Sequence, residues 1–203
     1  MKPRLLRFPW TGLVLFLGVA GFASHAEAHL VTTGLGPLYD GMGHLLLSPE
    51  EWATVGALAL LAGLSGAAAG RLVLFVLPLS WLVGGTIGFL IHAQPPVAIA
   101  AIVLMLTGGL IAADFRLIRP VVGSIGAAIG LFHGYLNGVA LVPAGEAALP
   151  LLGAALVIFV LVALVAAVVA SVKLTWQRIA VRVAGSWIAA TGLLLVGWAM
   201  RKG

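Results

Sequence analysis

Six apolar stretches, each near the length that crosses a bilayer, follow one another with only short polar turns between them. They occupy residues 51–70, 72–92, 96–113, 120–142, 147–172 and 183–200. A helix rises about 1.5 Å per residue, so about 20 apolar residues match a membrane's hydrocarbon core. Inside lipid every backbone polar group needs an internal partner, which leaves helices or closed barrels. These run lengths fit helices, and the expected fold is an all-α polytopic membrane helix bundle of about six transmembrane helices. Composition agrees. Of 203 residues, 62% are hydrophobic and 8% charged, against about 25% charged in soluble domains. The chain cannot cover its own surface with polar groups, so membrane lipid is its solvent.

Residues 1–28 have the parts of a secretory signal. Lys2, Arg4 and Arg7 make a basic start, a short apolar run follows, and Ala26-Glu27-Ala28 supplies a small-x-small cleavage site. An uncleaved anchor helix is the alternative. Cleavage after Ala28 would put His29 at the N-terminus, where an amine and an imidazole can share one ion. Residues 29–50 then form an extracytoplasmic Gly-rich segment with a short helix near 39–47, and 51–203 the six-helix domain. Ser48, Pro49 and Glu51 read as N-cap, first helical residue and capping-box partner of the first span.

The turns alternate in charge. Arg71, Arg116, Arg119, Lys173, Arg178 and Arg182 fall in every second turn, while the turns at His92 and Glu146 carry no Lys or Arg. The positive-inside rule puts the cationic turns in the cytoplasm and the other turns outside. An exported N-terminus demands the same orientation. The expected location is the bacterial inner membrane. The net charge of +5 is thereby spent on topology, and no basic face suggests nucleic acid.

The chain has no cysteine and five histidines, so a metal here would be held by imidazole, carboxylate, amide or backbone. Asp40 and His44 are spaced i, i+4 and share a face if that segment is helical. His92 ends the second span. His133 lies thirteen residues into the fourth span, which puts it about 20 Å above the inner end. Topology thus places His29, Asp40, His44, His92 and His133 in the outer half. Asn137, one turn from His133, reads as a supporting partner. Intramembrane ionisable residues are costly and are functional candidates. Plainer readings stand beside these: His92 as an interfacial polar residue, His133 as a core histidine bonded to Asn137 or a carbonyl, and Asp40 and His44 as caps of the short helix. Asp114 and Arg116 read as a loop ion pair. Gly84 and Gly88, and Gly126, Gly130, Gly134 and Gly138, recur every four residues. Such ridges let helices approach closely, within the bundle or between copies in a homo-oligomer.

These residues suit a permease or binding protein for a divalent transition metal, with the ion as substrate or ligand. Haem held between His92 and His133 is another reading. An intramembrane hydrolase fits poorly, because Ser124 and His133 lie about half a turn off a common face; the chain is read as a non-enzyme. Ala28-His29, the run from Gly34 through Asp40 to His44, and Phe132-His133-Gly134, together with the six-span layout, resemble the HupE/UreJ family of small membrane proteins. That resemblance implies nickel or cobalt uptake linked to hydrogenase and urease maturation. Better-known members carry a His-Pro-x-x-Gly-x-Asp-His motif, where this chain has Asp40-Gly-Met-Gly-His44. It reads as a divergent branch, and copper is the alternative metal.

Overall fold

The computed structural model describes residues 33–95 and 98–202. The expected signal at 1–28, its expected cleavage site and His29 lie outside the described residues. Within them the chain forms seven α-helices, a 3-10 turn at Val142–Ala144 and no strand. The helices are α1 (Pro37–Leu47), α2 (Pro49–Leu64), α3 (Ala67–Ile91), α4 (Ala98–Ala112), α5 (Arg119–Leu141), α6 (Ala148–Ala170) and α7 (Thr175–Lys202). Several apolar helices of this kind fit a multi-pass membrane protein.

Each expected span is a helix, but their lengths are uneven. Four helical stretches are long and apolar enough to cross a membrane: Ala67–Ile91, Arg119–Ala144, Ala148–Ala170 and Thr175–Arg201. A fifth crossing arises if α1 and α2, bent by 77° at their junction, are taken together. The first span stops at Leu64, short of the expected residue 70. Gly66 has φ 106 there, a left-handed conformation that ends the helix. α4 has 15 residues and reaches only about 22 Å. The last helix starts eight residues before its apolar run. Gln177 Oε1 accepts the Leu174 and Lys173 backbone N–H groups at 3.2 and 3.3 Å, capping a first turn that hydropathy reads as loop.

Glycine contacts seal two long helix pairs in the bundle. On α3 and α5, the backbones of Leu77, Trp81 and Gly85 meet Gly130, Gly134 and Gly138 in ascending order, so these helices run parallel. Gly84 and Gly88 return the contact against Leu131 and Tyr135. All the ridge glycines but Gly126 are therefore spent on close backbone contact within one chain. On α4 and α7, Met105, Gly108 and Ile111 meet Gly192, Ala189 and Gly185 in descending order, so this pair is antiparallel. α6 packs against α1, α2 and α3, and α2 joins the two groups. The main core runs through Leu45, Leu58, Val73, Trp81, Val122 and Ile158, and a smaller one through Leu61, Leu104 and Ile111.

The three cation-bearing turns meet at one end, called here the basic end. Arg178 Nη2 lies 2.6 Å from Asp114 Oδ2. Arg182 Nε donates to the Ala112 carbonyl at 3.0 Å, and Leu117 N–H to Ser65 Oγ at 3.3 Å. Asp114 thus pairs with Arg178 across two turns rather than with Arg116 beside it. The alternation of charge in the sequence is an actual clustering in space.

The glycine contacts set a sharp test. A methyl group at Gly134 would sit 2.1 Å from the Trp81 carbonyl oxygen, whereas one at Gly126 would find its nearest neighbour at an ordinary 3.5 Å. Gly134→Ala should lower stability by about 1–3 kcal/mol and Gly126→Ala should be near neutral, measured by unfolding the purified protein in rising SDS.

Candidate functional site

Helix α1 is laid across the end of the bundle opposite the basic end. Gly36, at φ 106, releases the chain into Pro37 at the first helical position. Gly41 lies against the Pro150 carbonyl and Gly153 against the Leu38 carbonyl, so α1 and α6 touch backbone to backbone. Ser48 then turns the chain and Pro49 starts α2. The sharp bend brings the last turn of α1 over the first turn of α2. His44 Nε2 stands 3.9 Å from Glu51 Oε1.

The expected capping box does not form. The Ser48 side chain makes no cap hydrogen bond, and Glu51 does not turn back to the backbone. Its side chain goes inward instead, and the residue is 7% exposed. Asn137 Nδ2, from α5, donates to Glu51 Oε1. The amide therefore bridges two helices and satisfies one carboxylate oxygen, while Glu51 Oε2 has no hydrogen-bond partner.

Asn137 and His133 lie one turn apart on α5, and Asn137 Nδ2 also donates to the His133 carbonyl at 3.3 Å. His133 is 2% exposed. Its ring stacks on Trp81 of α3, with centroids 6.0 Å apart and planes at 21°. Glycines on both sides of the α3–α5 seam bring these rings together. His133 Nε2 has no hydrogen-bond partner, so the plain reading of a satisfied core histidine fails at that atom. His133, Glu50 and Thr54 line a cavity of about 70 Å³ between α2, α4, α5 and α7. Its walls are mostly apolar, with Ala100, Ala101, Leu104, Leu195 and Ala199 facing those three polar side chains.

The other expected ligands go elsewhere. Asp40 Oδ1 accepts the Thr33 N–H at 2.5 Å and the Thr33 hydroxyl at 2.6 Å. Asp40 thus holds the approach to α1, and no ion pair joins it to His44. His92 is an exposed left-handed cap of α3 at φ 63, with its ring edge-on to Phe89 at 6.4 Å. It stands roughly 16 Å along α3 from Trp81, the level of His133, so these two histidines do not face each other across a haem. Among the described residues no three of His, Asp and Glu stand close enough to hold a metal ion.

A family model described as HupE / UreJ protein matches residues 17–195. The chain belongs to the HupE/UreJ family. Neither a curated protein nor a solved structure matches it. In this HupE/UreJ protein His44, Glu51 and Asn137 form a contiguous polar group, with His133 one turn away on α5. Sequence reasoning missed the inward role of Glu51. The available signal was Glu50-Glu51 itself: adjacent helical residues point about 100° apart, so the two carboxylates could not both cap.

The Glu51–Asn137 bond predicts a coupled pair. Asn137→Ala leaves a buried carboxyl without its donor and should cost about 1–3 kcal/mol. Combining it with Glu51→Ala should cost less than the two single changes summed, by about 0.5–3 kcal/mol in a double-mutant cycle.

Proposed function

We propose that this protein is a membrane permease that takes up a divalent transition metal, nickel or cobalt, from the outside. The carrying observation is the His44–Glu51 contact at 3.9 Å, set above Asn137 and the buried His133. An imidazole and a carboxylate are suitable ligands for such ions. Membership of the HupE/UreJ family, whose members are generally tied to nickel and cobalt transport, supports the same reading.

The sparse ligand set fits passage better than storage. A conducted ion must bind well enough to enter and weakly enough to leave. His44 and Glu51 offer a first pair of ligands at the end occupied by α1. Glu51 and His133 each keep an unpartnered polar atom further in. Such atoms are costly in a dry core, and a cation with its waters can satisfy them in turn. In this reading the basic end faces the cytoplasm. Moving a divalent ion inward then gains about 4.6 kcal/mol per 100 mV of membrane potential, enough for more than a thousandfold accumulation.

The test is uptake of nickel, cobalt and copper by cells expressing the protein. His44→Ala, Glu51→Gln and His133→Ala should each reduce nickel or cobalt uptake by about tenfold or more. Asp40→Asn, whose partner is Thr33, should change it by less than about threefold. Unaltered uptake in His44→Ala and Glu51→Gln would remove the proposed path, and uptake of copper alone would move the assignment to that metal.

A further inference from the structure

The basic end holds a pocket whose lining includes none of the metal ligands proposed above. Its volume is about 460 Å³, within the range of small-ligand sites. It lies where the end of α2, the turn before α5, the end of α6 and the start of α7 meet. Arg116, Lys173 and Arg178 line it together with Gly66, Leu174 and Thr175.

The charge in this place is unbalanced. Six cations gather at the basic end, Arg71, Arg116, Arg119, Lys173, Arg178 and Arg182, with one carboxylate, Asp114. Asp114 is committed to Arg178 at 2.6 Å. The side chains of Arg116 and Lys173 have no hydrogen-bond or ion-pair partner among the described residues. Arg178 Nε is buried and also lacks an acceptor. Positive-inside topology requires only that cations lie on this side; it does not require three of them to converge on one cavity. The pocket also meets the start of α7, whose first N–H groups have no intrahelical acceptor. The dipole of a 28-residue helix adds positive potential at that wall.

The surroundings select the carrier of the anion. Phe115, Leu174 and Trp176 are 55%, 54% and 65% exposed beside the cations. Aromatic and apolar side chains next to Lys and Arg are what an interface between headgroups and acyl chains favours. Basic pockets between membrane helices are suited to anionic headgroups.

We propose that this pocket binds the phosphate of an anionic phospholipid from the adjoining leaflet, with Arg116 and Lys173 as its principal ligands and Arg178 held in place by Asp114. The headgroup phosphate bridges the turn before α5 to the turn before α7. It thereby fastens α7, the helix with the least of its span buried inside the bundle, at 17%, to the rest. This site is independent of which ion the protein carries.

Native mass spectrometry of the full-length protein in detergent tests this, with phosphatidylglycerol and phosphatidylcholine offered in equal amounts. Wild type should retain phosphatidylglycerol by about tenfold over phosphatidylcholine. Arg116→Gln/Lys173→Gln should lose most of that preference. Arg116→Lys/Lys173→Arg should keep it, and Arg71→Gln/Arg119→Gln, which alters cations off this pocket, should keep it too. Equal loss in the Arg71/Arg119 control would mean a diffuse charge effect and overturn the site. So would full retention by the Gln pair, or a wild type without headgroup preference. Millimolar inorganic phosphate offered to delipidated protein separates the sources. If it raises the melting temperature of wild type as much as the phospholipid does, and not that of the Gln pair, the ligand is a soluble phosphate and the lipid assignment fails.

Discussion

The architecture depends on direct backbone contact between α3 and α5. Glycines at 84 and 88 on one helix and at 130, 134 and 138 on the other leave no room for a side chain. In lipid there is no hydrophobic drive to hold helices together, so close van der Waals packing must do it. The same closeness has a chemical effect. It presses the His133 ring onto Trp81 and removes both from solvent. It also fixes the height of Asn137, one turn on, where α2 delivers Glu51. A site of few polar groups can be well defined because the helices carrying it cannot slide.

Much of this was legible in the residue pattern. The apolar runs marked six helices, and the charge alternation marked which turns share an end. His133 and Asn137 stood out as polar groups on a glycine ridge. Other features depend on tertiary geometry that spacing does not contain. Asp40 and His44 have the right interval for a shared ion, yet Thr33 folds back onto the Asp40 carboxylate and takes it. Glu51 has the position and chemistry of a capping residue, but the bend before α2 aims it inward, where an amide from a helix 86 residues away meets it. His92 has the residue type of a ligand, and only its left-handed backbone shows it serving as a helix terminus.

Helix length was also hard to read from hydropathy. A window of apolar residues continues through Ser65 and Gly66 because neither is strongly polar. The φ of Gly66 nonetheless ends α2. At α7 the error runs the other way, since Gln177, Arg178 and Arg182 lower hydropathy without interrupting the helix. Polarity reports where lipid stops; capping reports where a helix stops. At the basic end the two differ by about two turns.

The His133 cavity occupies the seam between the two glycine-sealed groups. On one side stand α3 and α5, on the other α4 and α7, with α2 between them. The α4 and α7 wall offers Leu104 and Leu195, which meet their neighbours through side chains rather than through backbone. Side-chain contacts can repack, whereas glycine-to-carbonyl contacts cannot shift without separating two helices. The bundle is thus stiff where it holds the imidazole and freer to repack at the opposite wall of the cavity.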